Sequence, residues 1–401
     1  MSKRGKYLWP VLALALASLT GTAQPSFRVD STALRLVEAG FSNVRAAESG
    51  DYTVFTVEND YYKIPAEGFA RAVEIIGEAG LDASKPVKII GTSSRVPQVT
   101  ITYDPSAGRW NTTRRLDGSW DLVRGSTLLN SSFGKVDIVV YPQVSLMNLI
   151  ITQVYQSLWQ LSPAVEVSLW PGMRFSYQVQ IPVVNDGYGP LEGRIHAGII
   201  TLSQSFRDPW GWNILGKVSV GRFSNKRYGA ALEAAYFFPN ERFWVDTKIG
   251  LLDLCEAYGM ILAPNDQLDF RLYWNVAANY YCPMLGTQFT LRAEKFLLGD
   301  LGVKFEMIRH FRRCSIGFYA MKGMDKAAHT NGGFRFQIAL PPFGQKRHGY
   351  VPRLTTSGQM GMSYNANNER YYYNEYRTAA SDNIMSKNFF NPYYINRFIG
   401  R

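Results

Sequence analysis

The sequence predicts a mainly β protein, an antiparallel transmembrane β-barrel of about 10–12 strands preceded by a small α+β periplasmic domain. Three observations predict it. Between Arg227 and Leu340, apolar residues recur at every second position in segment after segment, the period of strands. The clearest runs reach about 9–11 residues, which suits a tilted strand crossing a bilayer, whereas strands of a soluble sandwich run about 5–6. The chain also opens like an exported protein: Lys3, Arg4 and Lys6 precede the apolar stretch from Tyr7 to Leu19, and Gly21-Thr22-Ala23 offers a small-residue cleavage site.

Residues 1–23 are therefore read as a signal peptide, with Gln24 opening the mature chain. No later stretch approaches the ~18 consecutive apolar residues of a spanning helix. Export without a helical stop, together with long alternating strands, predicts the cell outer membrane. The 401 residues are 46% hydrophobic and 14% aromatic, yet mean hydropathy is only −0.15, because alternation averages lipid-facing and lumen-facing residues. The formal charge is +11, and without the three leader cations 40 basic face 32 acidic side chains. That excess suits anionic headgroups or an acidic polymer, and equally a solvated basic surface. No nucleic-acid partner and no cofactor are expected. Cys255, Cys282 and Cys314 are so spaced that they make no metal motif, although one pair in an exported chain can bridge strands.

Residues 24–104 read as the periplasmic domain, in the order αββαββ. Ser31 is placed to cap a helix through Ala39, with Gly40 at C′. Val44 to Ala46 and Tyr52 to Val57 form a strand pair around the turn Glu48-Ser49-Gly50-Asp51. Pro65 starts a second helix that ends at Gly80, carrying Phe69, Val73 and Ile76 on one face. Val87 to Ile90 and Val99 to Tyr103 give two more strands. The module is read as an interaction domain; Tyr61 and Tyr62 offer a carbohydrate-binding alternative, provided they are exposed.

Residues 105–132, rich in Gly, Ser, Asn and Arg, read as a linker, and 133–341 as the barrel. Val136, Ile138 and Val140 alternate with Lys135, Asp137 and Val139. Val165 and Val167 flank Glu166, and Pro171-Gly172 turns into Met173, Phe175, Tyr177, Val179 and Ile181 opposite Arg174, Ser176, Gln178 and Gln180. Phe243 to Leu251, Leu268 to Tyr280 (after the turn Pro264-Asn265-Asp266), Phe289 to Ala293, Leu301 to Met307 and Phe334 to Leu340 repeat the pattern. Trp170, Tyr236, Phe237, Phe238, Trp244, Tyr280 and Tyr281 near strand ends suit membrane girdles. Residues 342–401, with Tyr371-Tyr372-Tyr373 and eight basic against three acidic side chains, fit last strands, a plug or a surface extension.

The charged face of these strands carries Glu233, Asp246, Lys248, Asp269, Arg271, Arg292, Glu294, Lys304, Glu306 and Arg335. Facing the lumen, they either contact an anionic glycan or pair across strands and fill a narrow interior. For a barrel this small the filled interior is favoured. A rim-site hydrolase would need a Ser beside a His. Of His196, His310, His329 and His348, only His310 shares a face with a carboxylate, Glu306, and strand spacing sets no Ser next to it. No catalytic or metal site is therefore expected. A general porin is the other alternative.

An ordered set of motifs resembles the YjbH/GfcD-like outer-membrane proteins that occur with exopolysaccharide or capsule operons. They are Gly40-Phe41-Ser42-Asn43-Val44, Val57-Glu58-Asn59 with Tyr61, Gly221-Arg222-Phe223 with Tyr228-Gly229 and Glu233, Asp300-Leu301-Gly302-Val303 leading to Arg309-His310-Phe311, Ile316-Gly317, and the run Gly333 to Pro341. The resemblance implies a non-catalytic outer-membrane component that assists polysaccharide export or surface assembly, with outer-membrane lipids, an anionic polysaccharide and export proteins as partners. The leader lacks a terminal cysteine, so a lipid anchor is not carried over, nor is the second barrel of longer members.

Overall fold

The computed structural model describes residues 24–82, 84–147, 156–255, 259–261, 268–324, 330–365 and 374–400. The leader, the Pro264-Asn265-Asp266 turn, His329 and Tyr371 to Tyr373 lie outside them.

The amino-terminal unit consists of α1 (Gln24–Glu38), β1 (Ser42–Glu48), β2 (Thr53–Glu58), α2 (Pro65–Gly77), β3 (Val87–Ser93), β4 (Val96–Asp104) and β5 (Arg109–Thr113). The strands lie side by side in chain order, with β2 and β3 parallel across the α2 crossover and the other pairs antiparallel. Pro65 occupies the first turn of α2, and Phe69, Ala72, Ile75 and Ile76 bury its apolar face. Gly40 holds φ +97° at the end of α1, as a left-handed C′ residue should.

Two expectations change here. Helix α1 already runs at Gln24, so Ser31 is interior: its hydroxyl, like that of Thr32, bonds back to the Arg28 carbonyl, at 3.0 and 2.6 Å. The segment 105–132 is also more than a linker. An Asp104 side chain organises the turn by accepting from Ser106 N at 2.9 Å, after which β5 pairs with β4 and Trp110 packs on Tyr103 at 5.3 Å. Asp117 then caps α3 (Gly118–Arg124) by accepting from Ser119 N at 3.0 Å. Val123 of α3 buries against Val54 and Ile90.

The second sheet closes on itself. β6 (Val136–Met147), β7 (Gln156–Ser168), β8 (Met173–Asp186), β9 (His196–Arg207), β10 (Ile214–Phe223), β11 (Arg227–Phe237), β12 (Phe243–Leu254), β13 (Arg271–Cys282), β14 (Thr287–Lys295), β15 (Leu301–His310), β16 (Cys314–Gly323) and β17 (Asn331–Ile338) pair in order, each antiparallel to the next. Two short pieces complete the wall. β18 (Arg353–Thr356) and β19 (Met360–Asn365) lie end to end along β6, both parallel to it, and β19 also pairs with β17. They act as one broken thirteenth stave.

The barrel thus has 13 strands, not the 10–12 expected, and it is not antiparallel throughout. Staves of a meander alternate in direction, so an odd number brings first and last together pointing the same way. The missing stave lay in residues 342–401, whose polar composition hid it.

Gly221 and Gly229 face each other on β10 and β11 with φ of +132° and +143°. A Cβ on Gly229 would stand 2.1 Å from the Leu251 carbonyl oxygen, so only glycine lets the walls approach here.

Burial around the wall is inverted relative to a water-soluble domain. In β15, Leu301, Val303, Phe305 and Met307 are 40%, 43%, 46% and 37% exposed, whereas the intervening Lys304 and Glu306 are 0% and 2% exposed. Leu251, Leu272, Val276, Leu291 and Phe318 continue the exposed apolar face. Of the aromatic residues expected in girdles, Trp170, Tyr236 and Phe238 point outward. Phe237, Trp244 and Tyr281 instead pack together inside, because their parity matches the charged face.

Candidate functional site: the filled lumen

The chain's own tail crosses the lumen. At one end of the barrel Asn374 accepts from Leu297 N at 2.9 Å and Arg377 N donates to Ser224 Oγ at 2.8 Å. Further along, Thr378 reaches Glu233, Met385 N donates to Gln337 Oε1 at 2.9 Å and Lys387 meets Glu306. The tail ends at the opposite mouth in α4 (Pro392–Ile399), capped by Asn391, which accepts from Tyr393 N at 3.0 Å and Tyr394 N at 3.4 Å. Met385, Tyr394 and Ile395 complete the apolar core of the α+β unit with Phe41, Phe55 and Phe69. Of the three roles considered for residues 342–401, the structure gives two, the closing stave and a plug.

Eight of the ten charged residues expected in the lumen are there. Lys304 donates to Glu375 of the plug at 2.5 Å and stands 3.3 Å from Glu306. Arg292 and Arg335 each approach Glu375 at 3.8 Å, and Arg335 and Lys387 approach Glu306 at 3.5 and 3.3 Å. Glu294 lies 4.0 Å from Arg292. Glu233 joins Lys217 at 3.3 Å and Lys248 at 3.8 Å, while Asp246 accepts from Asn279 Nδ2 at 2.6 Å. The plug adds Asp382, 3.8 Å from Lys217. Opposite charges therefore pair between wall and plug as well as across strands. Asp269 and Arg271 are the exceptions: they bond each other at 2.8 Å on the rim, each 61% exposed, because β13 starts at Arg271 and the wall has ended there.

Cavities flank the plug, among them the following two. The first, of about 610 Å³, is lined by Gln143, Gln160, Arg222 and Asn331; the second, of about 520 Å³, by Lys217, Asp246, Asn279 and Arg292, together with Ser93 and Gln98 of the α+β sheet. Arg335, Glu375, Arg377 and Asp382 line both, so the tail is the partition.

The α+β unit sits over the mouth that holds α4. The β3–β4 hairpin turn, Ser94 and Arg95, has φ of +50° and +64°. Its amides donate to the Glu58 carboxylate at 2.9 and 2.7 Å, and the Ser94 carbonyl accepts from Gly172 N of the β7–β8 turn at 2.7 Å. Burial, reinforced by Asp60, raises the Glu58 pKa against these amide bonds. Glu67 of α2 receives Arg313 at 2.9 Å and Arg312 at 3.3 Å from the β15–β16 turn. Glu241 in the β11–β12 turn accepts from Thr113 Oγ1 at 2.6 Å and Arg114 N at 2.9 Å. Tyr61 and Tyr62 do not form an exposed sugar platform; the Tyr61 ring packs beside Gly40 and Gly344, and Tyr62 against the domain core.

The case against a hydrolase rested on the absence of a serine beside His310, and one is present. Register sets His310 opposite Ser315, with Nδ1 to Oγ at 3.0 Å. Strand spacing within one segment does not reveal it, whereas hairpin pairing does. Both side chains are buried, at 3% and 0% exposure, and Tyr281 and Tyr394 lie beside the imidazole. The pair lacks the access an acyl-transfer site requires. Among the described residues, no group of three or more His, Cys, Asp or Glu can hold a metal ion. Cys255, Cys282 and Cys314 are unbridged. The sequence reading missed Arg114, Lys217, Glu375, Asp382 and Lys387, all supplied by segments read as linker, irregular strand or tail. No protein-family model matches the chain, and no curated protein matches it.

Proposed function

We propose that this chain is an outer-membrane barrel with a periplasmic domain that assists exopolysaccharide or capsule export or assembly at the cell surface without catalysis of its own. The observation that carries the membrane reading is the inverted wall. Leaving a large aliphatic or aromatic side chain in water forgoes about 1.5–3 kcal/mol; β12 and β15 each present at least four of them and most other strands one to three, while charged side chains face the interior. Soluble monomers rarely expose contiguous apolar patches beyond a few hundred Å²; lipid removes that cost. The leader-like first residues support export, and the short-turn mouth covered by the α+β unit suits the periplasmic side.

The polysaccharide role is supported by the ordered motifs that resemble the YjbH/GfcD-like proteins and by a lumen of paired charges and amides. A general porin is disfavoured by the tail, which ties into the wall through Glu375, Asp382 and Lys387. The test is deletion of the gene in its host, with surface glycan quantified. Reduced or mislocalised glycan is expected, and unchanged glycan refutes the role. Detergent dependence of the purified mature chain tests the membrane reading separately: a monodisperse protein in detergent-free buffer refutes it.

A further inference from the structure

We infer that the cavity beneath the α+β unit is a binding site for a short acidic saccharide, with Arg114 as its anchoring cation. The inference deepens the polysaccharide reading above and rests on it for the ligand class. Arg114 leaves β5 and enters the barrel mouth, where it is 4% exposed. Its guanidinium lies 4.4 Å from the Phe237 ring centroid and 5.2 Å from that of Trp244. Nε donates to the Phe390 carbonyl at 3.1 Å, which fixes the plane, and Nη1 has no partner. Glu241 places its negative charge by the guanidinium, but the bonds it makes run from Oε1 to the Thr113 hydroxyl and the Arg114 backbone amide, and its buried Oε2 accepts from nothing.

An unpaired guanidinium donor this deeply buried costs free energy unless something accepts from it. A second orphan lines the same cavity. Gln288 is 1% exposed and donates through Nε2 to Thr290 Oγ1 at 3.1 Å and Asn279 Oδ1 at 3.3 Å, while its Oε1 accepts nothing. One site thus offers a fixed cationic donor, which suits a carboxylate, and a neutral acceptor, which suits a hydroxyl. Seven cationic against five acidic side chains line the cavity, so the surroundings favour a ligand carrying negative charge. Its volume of about 520 Å³ falls within the usual range for small-molecule sites, about 300–1,000 Å³. A fully deprotonated inorganic anion such as sulfate, which can only accept, answers Arg114 but not Gln288, and a neutral sugar answers Gln288 but not Arg114; a uronate answers both.

The experiment titrates the full-length detergent-solubilised protein with methyl glucuronide, methyl glucoside and inorganic sulfate, by calorimetry and by tryptophan fluorescence, with Trp244→Phe identifying the reporter. Saturable glucuronide binding is expected, with Trp244 responding, and Arg114→Gln weakening it at least about tenfold, the loss of one charge-assisted bond. Arg114→Lys retains part of the affinity, and Gln288→Leu weakens the glucuronide but leaves sulfate unchanged. Absence of glucuronide binding, equal affinity in Arg114→Gln, or sulfate binding as tightly as glucuronide each overturns the inference. Should Arg114→Gln fail to fold, an unchanged glucuronide affinity in both Arg114→Lys and Gln288→Leu overturns it equally. Failure here leaves the surface-glycan phenotype untouched, and loss of that phenotype leaves this titration untouched, so the two readings fail separately.

Discussion

Replacing Glu375 by Gln should loosen the plug, and the magnitude follows from its neighbours. The carboxylate receives Lys304 at 2.5 Å and stands 3.8 Å from both Arg292 and Arg335. Lys304 is fully buried, so it cannot turn to water when the charge disappears. Glu306, 3.3 Å away, would then serve Lys304, Arg335 and Lys387 without Glu375, and Arg292 would keep Glu294 at 4.0 Å, with Glu306 and Asp246 acting on it at longer range. Breaking a buried pair by removing one partner costs about 3–5 kcal/mol. If that cost falls on seating of the tail, the ratio of seated to lifted plug drops roughly a hundred- to several-thousand-fold. Wild-type protein in planar bilayers should show little steady conductance, and Glu375→Gln frequent openings together with a lowered unfolding temperature in detergent. Adding Lys304→Met removes the stranded cation, so the double variant should recover part of the loss. Unchanged conductance and melting in Glu375→Gln, or a double variant whose losses simply add, would refute the wall-to-plug pairing.

Three further outcomes are expected. Lys63 donates to Thr355 Oγ1 at 2.5 Å where the α+β unit meets β18, and burial, with help from Arg353 and against Asp137, holds its pKa at about 8. The folded state therefore binds this proton more weakly than the unfolded chain. The charged-form cost is complete below pH 8 and fades as pH rises towards the unfolded value near 10.5, so wild type should gain melting temperature across that window relative to Lys63→Met. Gly229→Ala drives a methyl into the Leu251 carbonyl, and heat-modifiable mobility on gels should reveal failed barrel closure; normal assembly would remove the close-approach explanation. Ser315 should resist a fluorophosphonate probe in the folded barrel, and stoichiometric labelling would restore a hydrolytic role for His310–Ser315.

What the sequence made legible was whatever depends on side-chain parity. Leu301 to His310 and Phe243 to Leu251 declare their two faces at a period of two, and the same parity put Glu233, Asp246, Lys248, Arg292, Glu294, Lys304, Glu306 and Arg335 inside. It erred at boundaries, where parity continues but the wall does not, as for Asp269 and Arg271. It erred again at Phe237, Trp244 and Tyr281, where aromatic character was weighed above position. Local capping signals existed for two elements left unread: Asp117-Gly118-Ser119 before α3, and Asn391-Pro392 before α4. The Ser315–His310 contact lay beyond parity altogether, since it depends on which residues a hairpin sets opposite each other.

The tail was illegible for a deeper reason. Its residues serve three surroundings in succession: β19 completes a wall, 374–391 threads an ion-lined lumen, and α4 enters an apolar core built mostly from residues before 105. No single periodicity describes such a path, and the mixture of Tyr, Asn and Arg averages to nothing recognisable. The arrangement also constrains how the molecule can be made. The barrel cannot close before β18 and β19 meet β6, and the α+β unit lacks Met385, Tyr394 and Ile395 until the tail is seated. Closure, plugging and completion of the first domain all draw on residues beyond Ile338, so truncations after it should impair all three rather than trim a dispensable extension.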